Sequence, residues 1–123
     1  MGLPNINRLK HWREFRAVYR QGIRHYGSYL ILRALYIPQT EMQSHHSPAK
    51  IGISISTKVS KKAVKRNLIK RRIKGALQEL LPRINQGWHI VIVVKTEAIE
   101  CKYVDFLREL EHLLKESNII NGH

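Results

Sequence analysis

The run "WHIVIVVK", Trp88 to Lys95, constrains the fold more than any other stretch of the chain. It is almost continuously apolar and of strand length, which is the pattern of a strand buried on both faces in a sheet that includes a parallel pair. A parallel pair needs a crossover, and the preceding stretch supplies one. Ile69, Ile73, Ala76, Leu77 and Leu80 recur at helical spacing in a long helix of residues about 60–81, which Pro82 ends. Ahead of that helix, Ile51, Ile53 and Ile55 alternate with Gly52, Ser54 and Ser56, giving a strand with one greasy face and one small, hydroxylated face. A sheet face without bulky side chains admits an extended ligand, and simple solvation explains the pattern equally well.

The remaining elements follow from the same periodicities. Asn7 is placed to cap a first helix in which Leu9, Trp12, Phe15, Val18 and Tyr19 form a stripe that Gly22 stops. For such an aromatic stripe, packing on a sheet is the plainer reading. "SYLILRALYI" predicts a strand over about 28–37, ending at Pro38, with a shorter strand near Ile23 to Tyr26. The polar stretch 38–49 reads as a loop and contains the adjacent pair His45 and His46, whose scatter from the other histidines lacks ligand spacing. Val104, Leu107, Leu110, Leu113 and Leu114 give an acidic amphipathic helix ending near Ser117, with 118–123 expected as a flexible tail. The order is αβββαβα, an α+β fold of two-layer α/β sandwich type, in one domain spanning 1–123.

Charge narrows the partners. The 22 Lys and Arg outnumber nine Asp and Glu, for a formal charge of +13. Residues 1–96 hold nineteen of the basic and three of the acidic residues, so the positive field belongs to that part of the chain. Nucleic acid is the usual partner of such a field, because phosphate neutralisation releases counterions. No apolar run approaches the ~20 residues of a membrane span, and "MGLPNINRLK" lacks the apolar core of a signal peptide, so no membrane partner and a cytoplasmic location are expected. Cys101 is the lone cysteine, and Glu14, Glu41 and Glu79 lie far apart, so neither a catalytic residue nor a metal-binding residue is assigned.

Between Lys58 and Lys74 nine residues of seventeen are basic and none is acidic. At roughly 100° per residue, Lys62 and Arg66 project on the same side as Ile69, Ile73 and Leu77. That helix face is therefore basic in its first half and apolar in its second. An unpaired buried Lys or Arg is too costly, so the second half is expected to pack while the first overhangs. Asn67, Lys70, Arg71 and Lys74 line a neighbouring face, where a solvated helix would ordinarily mix Glu with Lys. Asn67 is the member that charge does not explain, being a weak helix former able to donate to a phosphate or ribose. Lys58, just ahead of the helix, and Lys61 and Lys62 at its start extend the patch. No helix-turn-helix, zinc-finger or basic-zipper pattern is present, so RNA is favoured and DNA is not expected.

In this order, "RLK", "F", "VY" and "G" around the first helix, "IGISIS", "KVSKKAVKRNLIKRRIK", "IVIVVK" and the Leu-rich final helix resemble the bacterial ribonuclease P protein component over nearly the whole chain. Arg66, Asn67, Lys70 and Arg71 fit that family's Arg-Asn-x-x-Lys-Arg core, with Lys74 where a basic residue is expected. Thr57, where a Lys is common, and Ser60 to Lys61, without the frequent Gly, depart from it. The resemblance implies a left-handed βαβ crossover, against the usual hand. It implies as partners a catalytic RNA and precursor tRNA, with Mg²⁺ held mainly by the RNA and substrate. The protein would assist removal of the 5′ leader and be inactive alone. It also implies that Phe15 and Tyr19, with the small face at Ser54 and Ser56, line a cleft for that leader, while Trp12 stays with the core. A stand-alone RNA-binding module, such as a ribosomal protein or RNA chaperone, is the alternative.

Overall fold

A computed structural model describes residues 3–38 and 47–120. The elements are α1 (Trp12–Gln21), β1 (Ile23–Tyr26), β2 (Leu30–Tyr36), β3 (Lys50–Ser54), α2 (Ala63–Leu80), β4 (Trp88–Val94) and α3 (Tyr103–Glu116), in the expected order αβββαβα. The loop containing His45 and His46 lies mostly outside the described residues. The strands form one sheet in the order β1-β2-β4-β3, with β4 antiparallel to β2 and parallel to β3. The parallel pair is thus β3 and β4, joined through α2 as the apolar run required.

Alternation along β4 divides the molecule. Ile90, Ile92 and Val94 belong to the main core with Leu30, Leu32 and Ala34 of β2, Ile51 of β3, Ile69, Ile73 and Leu77 of α2, and Phe106, Leu110 and Leu113 of α3. Val91 and Val93 face the other way, against Leu9, Phe15, Val18 and Tyr19. α2 and α3 therefore cover one face of the mixed α+β sheet and α1 covers the other.

Three expectations change. Asn7 does not cap α1: it is buried and donates its side-chain amide to the carbonyl of Ala49 (2.7 Å), while Leu9 N–H donates to Ile51 O (3.0 Å). The N-terminal segment is thereby laid beside β3, and α1 starts later, with His11 at its N-cap and Glu14 accepting the His11 N–H (3.3 Å). Trp12 consequently falls in the first turn, 62% exposed, and is not a core residue. The segment after α3 is not a free tail as far as Ile120. Asn118 adopts a left-handed backbone (φ 61), Ile119 N–H bonds Leu114 O and Asn118 N–H bonds Lys115 O, the paired bonds of a Schellman turn. The turn returns Ile119 and Ile120 onto the core, where Ile120 bridges Ile84.

Ile119 is fully buried. Ile119→Ala is expected to lower unfolding free energy by about 2–5 kcal/mol in urea titration, as for other buried Ile truncations. A loose tail would give less than about 0.5 kcal/mol.

Candidate nucleic-acid interface

The basic half of α2 leaves the sheet as the helical projection requires. On the face where Ile69, Ile73, Ala76, Leu77 and Leu80 are buried, Lys62 is exposed and Arg66 only half-buried. The helix begins at Ala63, so Lys58, Lys61 and Lys62 belong to a turn that two serines build. Ser56 Oγ accepts the Lys58 N–H and Ser60 Oγ accepts the Lys62 N–H, both at 3.2 Å, while Val59 plugs the turn from below. Arg66 is half-buried and donates from Nη1 to Ser60 O (2.8 Å), so it braces the turn as well as contributing charge. Lys58, Lys61, Lys62, Asn67, Arg71 and Lys74 are exposed, and Lys70 is half-buried. Arg72 points elsewhere, donating to Cys101 O (2.8 Å). Among the described residues no carboxylate forms an ion pair with any of these cations.

The small face of β3 lies under α1. Gly52, Val91 and Arg33 are register partners across β3, β4 and β2, and Ser54, Val93 and Ile31 form the next row. Phe15 rests directly on Gly52: a Cβ there would fall 2.6 Å from Phe15 Cε1. Tyr19 covers Arg33, whose guanidinium carbon sits 4.5 Å from the ring centroid and whose Nη2 donates to Tyr19 O (2.6 Å). Phe15 and Tyr19 are both only half-buried, so each ring keeps an open edge. Ser54 lies on the same strand face as Gly52, while Ser56 stands past the strand end, exposed. From Ser54 the chain runs straight into the basic turn, which joins the two candidate surfaces.

Glu14 lies on the other flank of α1 beside Lys50 (3.4 Å). Partial burial raises its carboxyl, but the His11 N–H and the Lys50 ammonium outweigh this and hold it below the ordinary carboxylate value. Cys101 is buried, and desolvation, with Asp105 and Glu109 nearby, pushes its thiol up to about 11. A thiol so raised carries almost no thiolate at neutral pH and is a poor nucleophile. Among the described residues no group of three or more His, Cys, Asp or Glu side chains could hold a metal ion.

The model of the Ribonuclease P family matches residues 3–118. The chain belongs to this family. A ribonuclease P protein component of Picosynechococcus sp. is 54% identical over 123 residues, and one of Microcystis aeruginosa is 51% identical, each alignment covering all of both chains. The structure of Staphylococcus aureus RNase P protein superposes with a TM-score of 0.77 at 24% identity, covering 94% of this chain and 98% of that one, a likeness of fold. As a ribonuclease P protein component, the chain is the accessory protein subunit of a ribonucleoprotein endoribonuclease that processes tRNA, and its partner is the ribonuclease P RNA.

For this ribonuclease P protein, residue reading overlooked Arg33. Its signal was present: one charged residue inside the apolar strand "LILRALY", on the parity opposite to Leu30, Leu32 and Ala34. Gly52→Ala tests the seat of Phe15. The added methyl is expected to displace the ring and destabilise the protein by about 1–3 kcal/mol, read from the denaturation midpoint.

Proposed function

We propose that this subunit grips the 5′ leader of precursor tRNA between Phe15, Tyr19 and the Ser54 to Ser56 edge of β3, while Lys58, Lys61, Lys62, Arg66, Asn67, Lys70, Arg71 and Lys74 dock RNA phosphates. The observation that carries this is the half-open Phe15 ring seated on Gly52, beside a strand that leads directly into the uncompensated basic turn. Stacking on aromatic faces tolerates any base, which suits an enzyme that accepts many leaders. The basic turn and helix then supply the sequence-independent attraction to backbone.

The leader is removed hydrolytically to leave the mature 5′ end, with Mg²⁺ held by RNA phosphates. Ammonium and guanidinium groups repel a divalent cation, so the side chains of this surface do not fit as its ligands and no step is assigned to them. The protein contributes by lowering the repulsion between two RNAs and by holding the leader. Such a subunit acts where its RNA partner does, in the cytoplasm. No helix among the described residues is long and apolar enough to cross a membrane.

Adding the purified protein to its RNA partner is expected to speed precursor-tRNA cleavage at low Mg²⁺, and no stimulation would sink the assignment. Phe15→Ala should weaken binding of leader-bearing substrate by about 5- to 150-fold, from roughly 1–3 kcal/mol per stacked base, while mature tRNA binds as before. Arg71 is exposed and, among the described residues, its side chain has no hydrogen bond or ion pair, so Arg71→Ala is expected to leave stability unchanged and reduce the salt slope of RNA binding by about one.

A further inference from the structure

The back of α1 carries a second cationic and aromatic array that the cleft does not use. Trp12, Arg13, Arg16, Ala17, Arg20 and Gln21 line a shallow groove of about 260 Å³, with the small Ala17 as its floor. The guanidinium carbons of Arg13 and Arg16 lie 5.6 and 5.9 Å from the Trp12 ring centroid. Arg13, Arg16 and Arg20 are exposed, and among the described residues none forms an ion pair with a carboxylate. An indole left 62% in water, between cations held close together without counter-charge, is costly in a bare helix. It matches a ligand that offers stacking faces and phosphates together.

The groove flanks the stripe of α1 that carries Phe15 and Tyr19. At roughly 100° per residue, Phe15, Tyr19, Trp12, Arg16 and Arg20 follow one another around the helix in that order, with Arg16 and Arg20 both on the side away from the sheet. Glu14, beside Lys50, lies on the opposite flank, so the acidic side chain of α1 does not interrupt this band. Trp12 lies two turns, about 10 Å along the axis, before Tyr19 on the adjoining stripe, so a single strand passing Tyr19 would have to run back along the helix to reach the Trp12 face and its guanidinium groups.

We propose that the groove on the back of α1 is an extension site for the 5′ leader, with Trp12 stacking a nucleotide distal to the cleft and Arg13, Arg16 and Arg20 holding the phosphates around it. The proposal rests on the leader-cleft reading above. It adds that the contribution of the leader to affinity continues to grow after the cleft is full.

The test uses the assembled ribonucleoprotein and two precursor tRNAs, one with a leader just long enough to fill the cleft and one several nucleotides longer. The native enzyme is expected to bind the longer substrate more tightly. Trp12→Ala should abolish that difference, an effect of about 5- to 10-fold if the stacking is at the weak end of its range, and leave the short-leader substrate unaffected. Trp12→Tyr should restore most of it, and Arg16→Gln should reduce both the difference and its salt dependence. Phe15→Ala, by contrast, should weaken both substrates, and failure there alone would remove the cleft reading. The extension site is overturned if the native enzyme ignores the added nucleotides, if Trp12→Ala affects both leaders equally, or if Trp12→Ala weakens assembly with the RNA subunit instead. The last result would assign the groove to the RNA partner.

Discussion

Two-sided burial of β4 is the constraint on which the rest of the structure depends. Its backbone is hydrogen-bonded on both edges, to β2 and β3, and its side chains alternate into two apolar clusters. Because successive side chains point to opposite faces, a single shift of register would carry Ile90 and Ile92 out of the main core and Val91 out from under α1 together. The strand therefore fixes where both helical layers sit. It places Val91 next to Gly52 and Arg33, so the seats of Phe15 and Tyr19 are set by the same pairing that builds the core.

Elements with a clean period were legible in the sequence, and junctions were not. β3 and the packed half of α2 carry their signal in residues that repeat every two or every three to four positions, and β4 carries its signal in a continuous apolar run. The start of α1 was misplaced because Asn7 is an excellent cap in isolation, but its amide is used by Ala49 O, a partner forty-two residues away that no local rule reports. With Asn7 held there the helix starts at Trp12, which lies 62% exposed in its first turn. The tail was misjudged for a different reason. "SNII" after a Leu-rich helix is itself a stop signal, with Asn suited to the left-handed position and an apolar pair to return to the core. A charge-poor six-residue end was read as loose because it follows the last periodic residue.

The candidate site was legible to the degree that it uses one element. The overhang of α2 follows from projecting its own residues, and the exposed Lys62 on the packed stripe agrees with it. The cleft draws on α1, β2 and β3, whose relative placement is a property of the sheet order. Alternation showed that the Gly52 and Ser54 face is small, yet it left solvation and ligand equally open. What removes the ambiguity at Gly52 is the Phe15 ring, which occupies the space a side chain would have taken. Arg33 belongs to the same picture: its charge is accommodated in a strand because the Tyr19 ring and carbonyl lie above it.

The electrostatics of α2 run against its own stability, and this bears on why the patch is where it is. A helix N-terminus carries a partial positive charge, and acidic residues there are stabilising. α2 has no acidic residue in its first turn, and Lys61, Lys62, Lys65 and Arg66 crowd the same end. The free protein thus holds cations against a positive helix terminus, where the Ser60 contacts give local compensation among the described residues. An anion placed there would relieve both repulsions at once, since the side-chain cations and the helix N-terminus share that end of the helix. Binding to the folded form alone would then add to the stability of the basic half of the helix. The apolar half of α2, packed in the main core with β4 and α3, is what allows the other half to remain charged and exposed.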